Sequence, residues 1–265
     1  MALIAVDKQT CSQCGLCARA CPVGIIVQED GFPTTVQKIE KGCITCGHCV
    51  AVCPVRALSH CRMTPDDCAP LAPDWRSTPE RMEQLIKGRR SCRRFRSDPV
   101  DRTTLSRLLD IVRYAPTGMN TQSVRWLVLL DPAELQRVSA VVVDWLRGLE
   151  NVPGVKGMLR AWDMGLDPIL RNAPHLIVAC GAVDDPAVNL SAAIAVATLE
   201  LAAPSFGLGT CWAGFLQQAA NSSPWVHSAL ELPSGCRMCG GAIVGYPEFQ
   251  HVRMPARRPA QITWR

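Results

Sequence analysis

The chain has 265 residues, 48% of them hydrophobic, with a formal net charge of +5 and fifteen cysteines. That length suits two domains better than one, and the apolar share supplies a sizeable core. No basic patch interleaved with aromatics argues for nucleic acid, and the N-terminus meets Asp7 and Lys8 before any long apolar run, so no secretory signal is read and a reducing cytoplasm is expected.

The first element is a short strand, Leu3-Ile4-Ala5-Val6. It enters Cys11-x-x-Cys14-x-x-Cys17-x-x-x-Cys21-Pro22, and the same run returns 32 residues later as Cys43-x-x-Cys46-x-x-Cys49-x-x-x-Cys53-Pro54. This is the two-cluster iron–sulfur pattern, in which the fourth cysteine of each run reaches across to the other cluster. Cys11, Cys14, Cys17 and Cys53 are expected on one [4Fe–4S] cluster, and Cys43, Cys46, Cys49 and Cys21 on the second. Zinc has no use for a doubled run of three gaps, and disulfides suit small secreted domains. Each cluster with four thiolates carries about −2, so the loaded protein is near neutral. Oxygen-sensitive clusters suggest an anaerobic setting. Between the runs, residues 31–36 read as a turn and strand. His48 either hydrogen-bonds a cluster sulfur or lies on the loop surface.

Residues 61–78 form a proline-rich linker after a ferredoxin-like domain over 1–60. Cys61 and Cys68 within it are read as packing residues. From residue 79 to 265 the pattern becomes α+β. Thr78-Pro79-Glu80 opens a helix with Met82, Leu85 and Ile86 on one face. Asp101 to Tyr114 is a second helix. Val124 to Leu130 is a buried strand, Pro132 to Leu149 a helix, and residues 151–167 a glycine-containing loop that can act as a lid. His175 to Cys180 is a strand. The apolar stretch from Ala187 to Phe206 contains Glu200 and Pro204, so it reads as a buried helix and not a membrane span. A glycine-rich turn over 207–210 and a strand from Arg237 to Val244 complete the chain. Cys236-x-x-Cys239 is read as packing, and Trp126, Trp145, Trp162 and Trp212 as core or pocket walls.

Four features in the second domain converge on an anion. Arg89-Arg90-Ser91-Cys92-Arg93-Arg94-Phe95 concentrates guanidinium forks that match phosphate. Thr117 to Gln122 is a short polar loop, Gly207-x-Gly209 allows close backbone approach, and Arg257-Arg258 adds two cations. Together with Ala115-Pro116-Thr117-x-x-Asn120-x-Gln122, Gly207-Leu208-Gly209-Thr210-Cys211-Trp212 and Gly245-Tyr246-Pro247, these motifs resemble the nitroreductase family of FMN enzymes. With the cysteine runs, the whole chain resembles ferredoxin–nitroreductase fusions. It departs from many relatives in having Ser123-Val124 after the glutamine, at the pocket edge. Gly207-x-Gly209 lacks the third glycine and the helix-opening position of a dinucleotide fingerprint.

The resemblance implies a ferredoxin-like two-cluster domain followed by an FMN domain with a central sheet and surrounding helices. It places the FMN phosphate and ribityl chain on Arg89, Arg90, Ser91 and Arg93, with Arg257 and Arg258 closing on the phosphate. Pro116, Thr117, Gly118 and Asn120, with Gln122 in the same motif, match the loop that contacts the partner subunit's flavin. Ala213 and Gly214 match the backbone beside the flavin N5. A homodimer follows. Clusters pass electrons singly and flavin also in pairs, so the expected activity moves electrons from a soluble ferredoxin through the clusters to FMN and on to a small nitroaromatic- or quinone-like substrate. The alternatives are an NAD(P)H-oxidising flavoprotein that delivers electrons outward, or an electron carrier or redox sensor. No catalytic side chain is named, and neither nucleic acid nor membrane is expected as a partner.

Overall fold

A computed structural model describes residues 2–149 and 151–265. The chain divides into two units, one running up to Ser77 with Met119–Thr121 added, the other covering Thr78–Gly118 and Gln122–Arg265.

The first unit contains β1 (Ile4–Val6), α1 (Leu16–Ala20), β2 (Ile26–Glu29), β3 (Phe32–Thr35), α2 (His48–Ala51) and β4 (Leu58–His60). β1 pairs antiparallel with β4, Ile4 facing His60. β2 and β3 form a hairpin through Asp30 and Gly31, both at positive φ. The helices begin at Gly15 and Gly47, which share a left-handed conformation. A Cβ at Gly15 would stand 2.6 Å from Gln28 Oε1, and one at Gly47 would stand 2.6 Å from Met63 Sδ, so neither site accepts a side chain without displacement. Ile4, Ile26, Val50 and Leu58 form one buried cluster, with Ile25 and Ala57 also buried, and Cys17, Cys21, Cys49 and Cys53 pack against the cluster. The start of the proline-rich stretch folds onto this unit. His60 and Met63 form a β-bridge, and Thr64 and Asp67 close a capping box around Pro65–Asp67.

The second unit contains α3 (Pro79–Gly88), α4 (Arg102–Val112), β5 (Arg125–Leu129), α5 (Pro132–Arg147), α6 (Val155–Asp163), β6 (His175–Ala182), α7 (Val188–Ala202), β7 (Gly209–Trp212), α8 (Gly214–Ser222), α9 (Pro224–Ala229) and β8 (Cys236–Gly245). The strands form one antiparallel sheet in the order β5-β6-β8-β7. Successive residues of β6 point to opposite faces, as strand geometry requires. Leu176 and Val178 join one core with α5, α6, α8 and α9. Ile177 and Ala179 join the other with α4 and α7. The result is a sheet between two helical layers. Capping fixes where helices start: the Thr78 hydroxyl accepts from Arg81 N–H, and the Asp101 and Asp131 carboxylates accept from Thr104 N–H and Ala133 N–H. Leu105, Leu108 and Val112 then recur on one face of α4, and each buried aliphatic side chain contributes roughly 1.5–3 kcal/mol.

Three sequence expectations change here. The strand expected to be buried, β5, is a sheet edge, and only Leu129 of it is buried. Gly209 and Thr210 lie in β7 and not in a turn. The stretch expected as a lid contains α6, which Val155 and Leu159 fasten to the core against α5. Gly154 and Gly165 bracket that helix and Gly157 lies within it, and the helical spacing of the apolar residues decides the outcome. The helix from Val188 is apolar and long enough with its 3-10 extension to cross a bilayer, but Val188, Ala192, Val196 and Leu199 are fully or almost fully buried in the core.

Candidate functional site

In the first unit the doubled motif bends each cysteine run around its own cavity. Cys11, Cys14, Cys17 and Cys53 line one, and Cys21, Cys43, Cys46 and Cys49 line the other. Each set thus takes three cysteines from one run and the last from the other. Four thiolates on one zinc ion would converge to about 3.8 Å sulfur–sulfur, given a 2.3 Å Zn–S bond and tetrahedral angles. Among the described residues no three His, Cys, Asp or Glu side chains gather at single-ion spacing. Each set of four thiols instead lines one shared cavity, as the four cysteine ligands of a [4Fe–4S] cluster do.

The thiols differ in their surroundings. Burial, joined by the nearby Cys46 charge, pushes Cys49 up to about 11. Burial also raises Cys17. Burial pushes Cys21 up, but the N–H groups of Ile25, Val23, Ile26 and Gly24 together outweigh it, and the thiol ends below its usual value. Exposed Cys14 is lowered by Leu16 N–H and then by the Ser12 hydroxyl. Buried thiols of this kind ionise when a cation of the cluster stands against them.

His48 is exposed, and among the described residues no hydrogen bond joins it to a cysteine sulfur. The histidine at this site is His60, which the sequence reading passed over. It is 7% exposed, and its Nε2 lies 3.5 Å from Cys43 Sγ. Burial, with Arg62 nearby, holds its imidazolium below the usual range. Cys68 packs against the first unit's core, while Cys61 is exposed, contrary to the packing role expected for it, because its backbone N–H bonds Leu3 C=O at the end of the sheet.

In the second unit, the arginine motif leaves α3 and runs beside the sheet. Ser91 bridges Thr210, Cys92 N–H donates to Thr210 C=O at 2.7 Å, and Phe95 bridges Pro247. The approach is close: a Cβ on Gly209 would stand 2.6 Å from Cys92 Cβ. A cleft of about 480 Å³ opens here, lined by Arg89, Arg90, Ser91, Arg93, Gly207 and Gly209 among others. A neighbouring cleft of about 440 Å³ is lined by Trp212, Gly214, Phe215, Gln218 and Arg171, and Arg93 lines both. These volumes suit a small-molecule cofactor. Trp212 is fixed by Gln217, which accepts from Trp212 Nε1 at 3.0 Å and donates to Cys239 C=O at 2.9 Å.

The electrostatics invite an anion. Arg89 Nη1 and Arg90 Nε are buried and make no hydrogen bond. Glu200 on α7 stands 3.6 Å from Arg89 Nη1, inside ion-pair range but beyond hydrogen-bond reach, and its own Oε1 is equally unsatisfied. Burial raises the Glu200 carboxyl, and Arg89 only partly opposes this. Buried donors left without an acceptor cost free energy, and a phosphate in the cleft would complete them.

The side chains of the remaining expected residues do not line these clefts. Ala213 caps α8 and bonds Gly241 C=O through its N–H. Arg257 and Arg258 are exposed in a stretch without regular structure and do not line either cleft. Pro116, Thr117, Gly118, Asn120 and Gln122 do not line the clefts either. Asn120 Nδ2 instead donates to Ile44 C=O at 3.2 Å and Thr45 C=O at 3.0 Å, within the first unit. Cys236 and Cys239 are buried on β8, as packing residues should be.

An antiparallel sheet between helical layers, with an arginine-lined cleft at its margin and a cysteine-rich unit ahead of it, defines an α+β cofactor-binding protein with attached thiolate sites. The nitroreductase family model matches residues 86–246, and a 4Fe-4S dicluster domain model matches residues 3–54. The chain belongs to the nitroreductase family and carries an N-terminal dicluster ferredoxin domain. It is 29% identical over 184 residues to a 5,6-dimethylbenzimidazole synthase of Rhodospirillum rubrum, covering 64% of this chain and 83% of that one. It is 28% identical over 180 residues to an iodotyrosine deiodinase of Thermotoga neapolitana, covering 64% and 91%. Among solved structures it resembles a nitroreductase with bound FMN from Bacteroides fragilis, with a TM-score of 0.62 and 21% identity over 71% of this chain and 99% of that one.

Proposed function

We propose that this member of the nitroreductase family is an FMN- and iron–sulfur-dependent oxidoreductase that moves single electrons through two [4Fe–4S] clusters to FMN and reduces a small electron-poor organic substrate. The observation that carries it is the pairing, in one chain, of two thiol-ringed cavities with a cleft whose buried Arg89 and Arg90 nitrogens lack acceptors. When bound, iron–sulfur clusters exchange electrons singly and flavin exchanges them singly or in pairs.

The chain's own residues bind and orient. Cys11, Cys14, Cys17 and Cys53 hold one cluster, and Cys43, Cys46, Cys49 and Cys21 hold the other. Arg89, Arg90, Ser91 and Arg93 hold the flavin phosphate and ribityl chain, and the Trp212–Gly214 segment forms the wall for the ring. A homodimer is part of this reading. It is supported by apolar side chains left exposed on a single chain, Met82 and Ile86 on α3, Tyr114 just beyond α4 and Leu190 on α7. In it, Pro116 to Gln122 and the Arg257-Arg258 tail serve the cofactor across the subunit boundary. A reducing cytoplasm keeps the thiols available.

Anaerobic purification with iron, sulfide and flavin quantitation, followed by reduction with ferredoxin or NADPH, tests the proposal. It requires eight irons and one FMN per chain, with flavin bleached by reduced ferredoxin. Cys14→Ala should block that route and leave FMN bound. Flavin bleaching by NADPH alone would reverse the direction of flow.

A further inference from the structure

The internal repeat is not symmetric at its second strand. The offset of 32 residues that superimposes the cysteine runs also carries β4 onto β2, and so His60 onto Gln28. The two residues do different things. Gln28 Nε2 is spent on backbone, donating to Gln13 C=O at 3.2 Å and Gly31 C=O at 3.3 Å, and Gln28 does not line the first cavity. His60 lines the second cavity together with Cys21, Cys43, Cys46 and Cys49. Its Nδ1 accepts from Arg62 N–H at 3.1 Å, which leaves the ring proton on Nε2. That nitrogen faces Cys43 Sγ at 3.5 Å. The ring is held in place because His60 pairs with Ile4 across β1–β4 and is bridged to Met63.

We infer that His60 is a positioning and tuning residue that donates a hydrogen bond to the Cys43 thiolate, making the two clusters unequal, with the higher reduction potential on the one held by Cys21, Cys43, Cys46 and Cys49. A donor to a ligand sulfur withdraws negative charge and favours the reduced, more negative cluster. The inference rests on the proposed cluster ligands and adds a direction to them: of the two clusters, the His60 side is the one that holds an electron more readily.

The test is an anaerobic redox titration of the holoprotein followed by electron paramagnetic resonance, on the unaltered chain, His60→Leu, His60→Gln and the control His48→Gln. Two potentials are expected in the unaltered chain. His60→Leu lowers the higher one and leaves the other in place, His60→Gln returns it towards the starting value, and His48→Gln moves neither. If His60→Leu retains eight irons and both potentials stay where they were, or both move together, the inference is overturned. A second measurement needs no substitution at this position. Pulsed resonance on His48→Gln protein labelled with ¹⁵N-histidine should show nitrogen coupling to one reduced cluster, and coupling to neither overturns the inference even if His60→Leu does not assemble. Fewer than eight irons in the unaltered chain would instead refute the cluster reading itself, and iron analysis shows this before any potential is read.

Discussion

Replacing Arg89 by alanine should separate flavin binding from folding, because the structure ties this side chain to both. Arg89 Nη1 is buried without a hydrogen bond, so a phosphate oxygen reaching it gains a charge-assisted bond. Such a bond is worth about 1.5–3 kcal/mol, which at 1.4 kcal/mol per decade is a loss of about 12- to 150-fold in FMN affinity. The same substitution strands Glu200, whose side chain is only 15% exposed and which faces Arg89 at 3.6 Å. A buried carboxylate without its partner costs about 1–3 kcal/mol in stability or takes up a proton. Arg89→Ala with Glu200→Gln removes that second effect and leaves the first. Flavin fluorescence quenching on protein stripped of FMN reads affinity, and urea unfolding reads stability. Stability should recover in the double variant while affinity stays low. If affinity recovers as well, Arg89 acts by shaping the fold and does not touch the phosphate; a loss under threefold in the single variant would also refute the contact.

Three further outcomes follow from the packing. Iron chelation under reducing conditions should expose residues up to Ser77 to protease and leave a resistant fragment from about residue 78, since so small a set of buried apolar side chains cannot hold the first unit alone; a protected N-terminal unit without iron would contradict this. Leu108→Ala should lower unfolding free energy by about 3–5 kcal/mol in urea, because Leu108 is 0% exposed between α4 and α7, and a loss below 1 kcal/mol would show that the site collapses to fill the space. Burial holds His175 below its ordinary pKa, and its Nε2 accepts from Val100 N–H at 2.8 Å, which requires the neutral ring. The unfolded chain therefore takes the proton first, so this contribution is complete above about pH 6.5 and declines as pH falls below it. Melting temperature should drop on acidification towards pH 5.5 with a smaller slope in His175→Gln, and equal slopes would exclude His175 as a source.

What could be read from the sequence was set by how local each signal is. Cluster ligands sit three or four residues apart, so the doubled run shows its chemistry without any knowledge of the fold. The helix start at Thr78-Pro79 was equally plain, because a cap and its acceptor bond span three residues or fewer, whereas the helices near Asp101 and Pro132 were read without their Asp101 and Asp131 caps. His60 was missed because it meets Cys43 only through the pairing of β1 with β4, while His48, inside the motif, drew attention and is exposed. Glu200 read as a polar interruption in an apolar helix. Its relation to Arg89 bridges more than a hundred residues of sequence and depends on how α7 lies against the sheet. The segment expected as a loop over 151–167 is largely a helix, because Gly154, Gly157 and Gly165 drew more weight than the helical pattern of Val155, Leu159 and Trp162.

The antiparallel sheet ends at β7, and an uncovered outer strand invites pairing with another molecule. Here the segment from Ser91 to Phe95 lies along that border, with Cys92 donating to Thr210 and Ser91 bridged to it. The arginine run therefore also serves as a guard rail against strand pairing at the β7 border. Lengthening this loop would release the border as well as the cofactor, so insertion variants should precipitate sooner than substitutions of the same arginines.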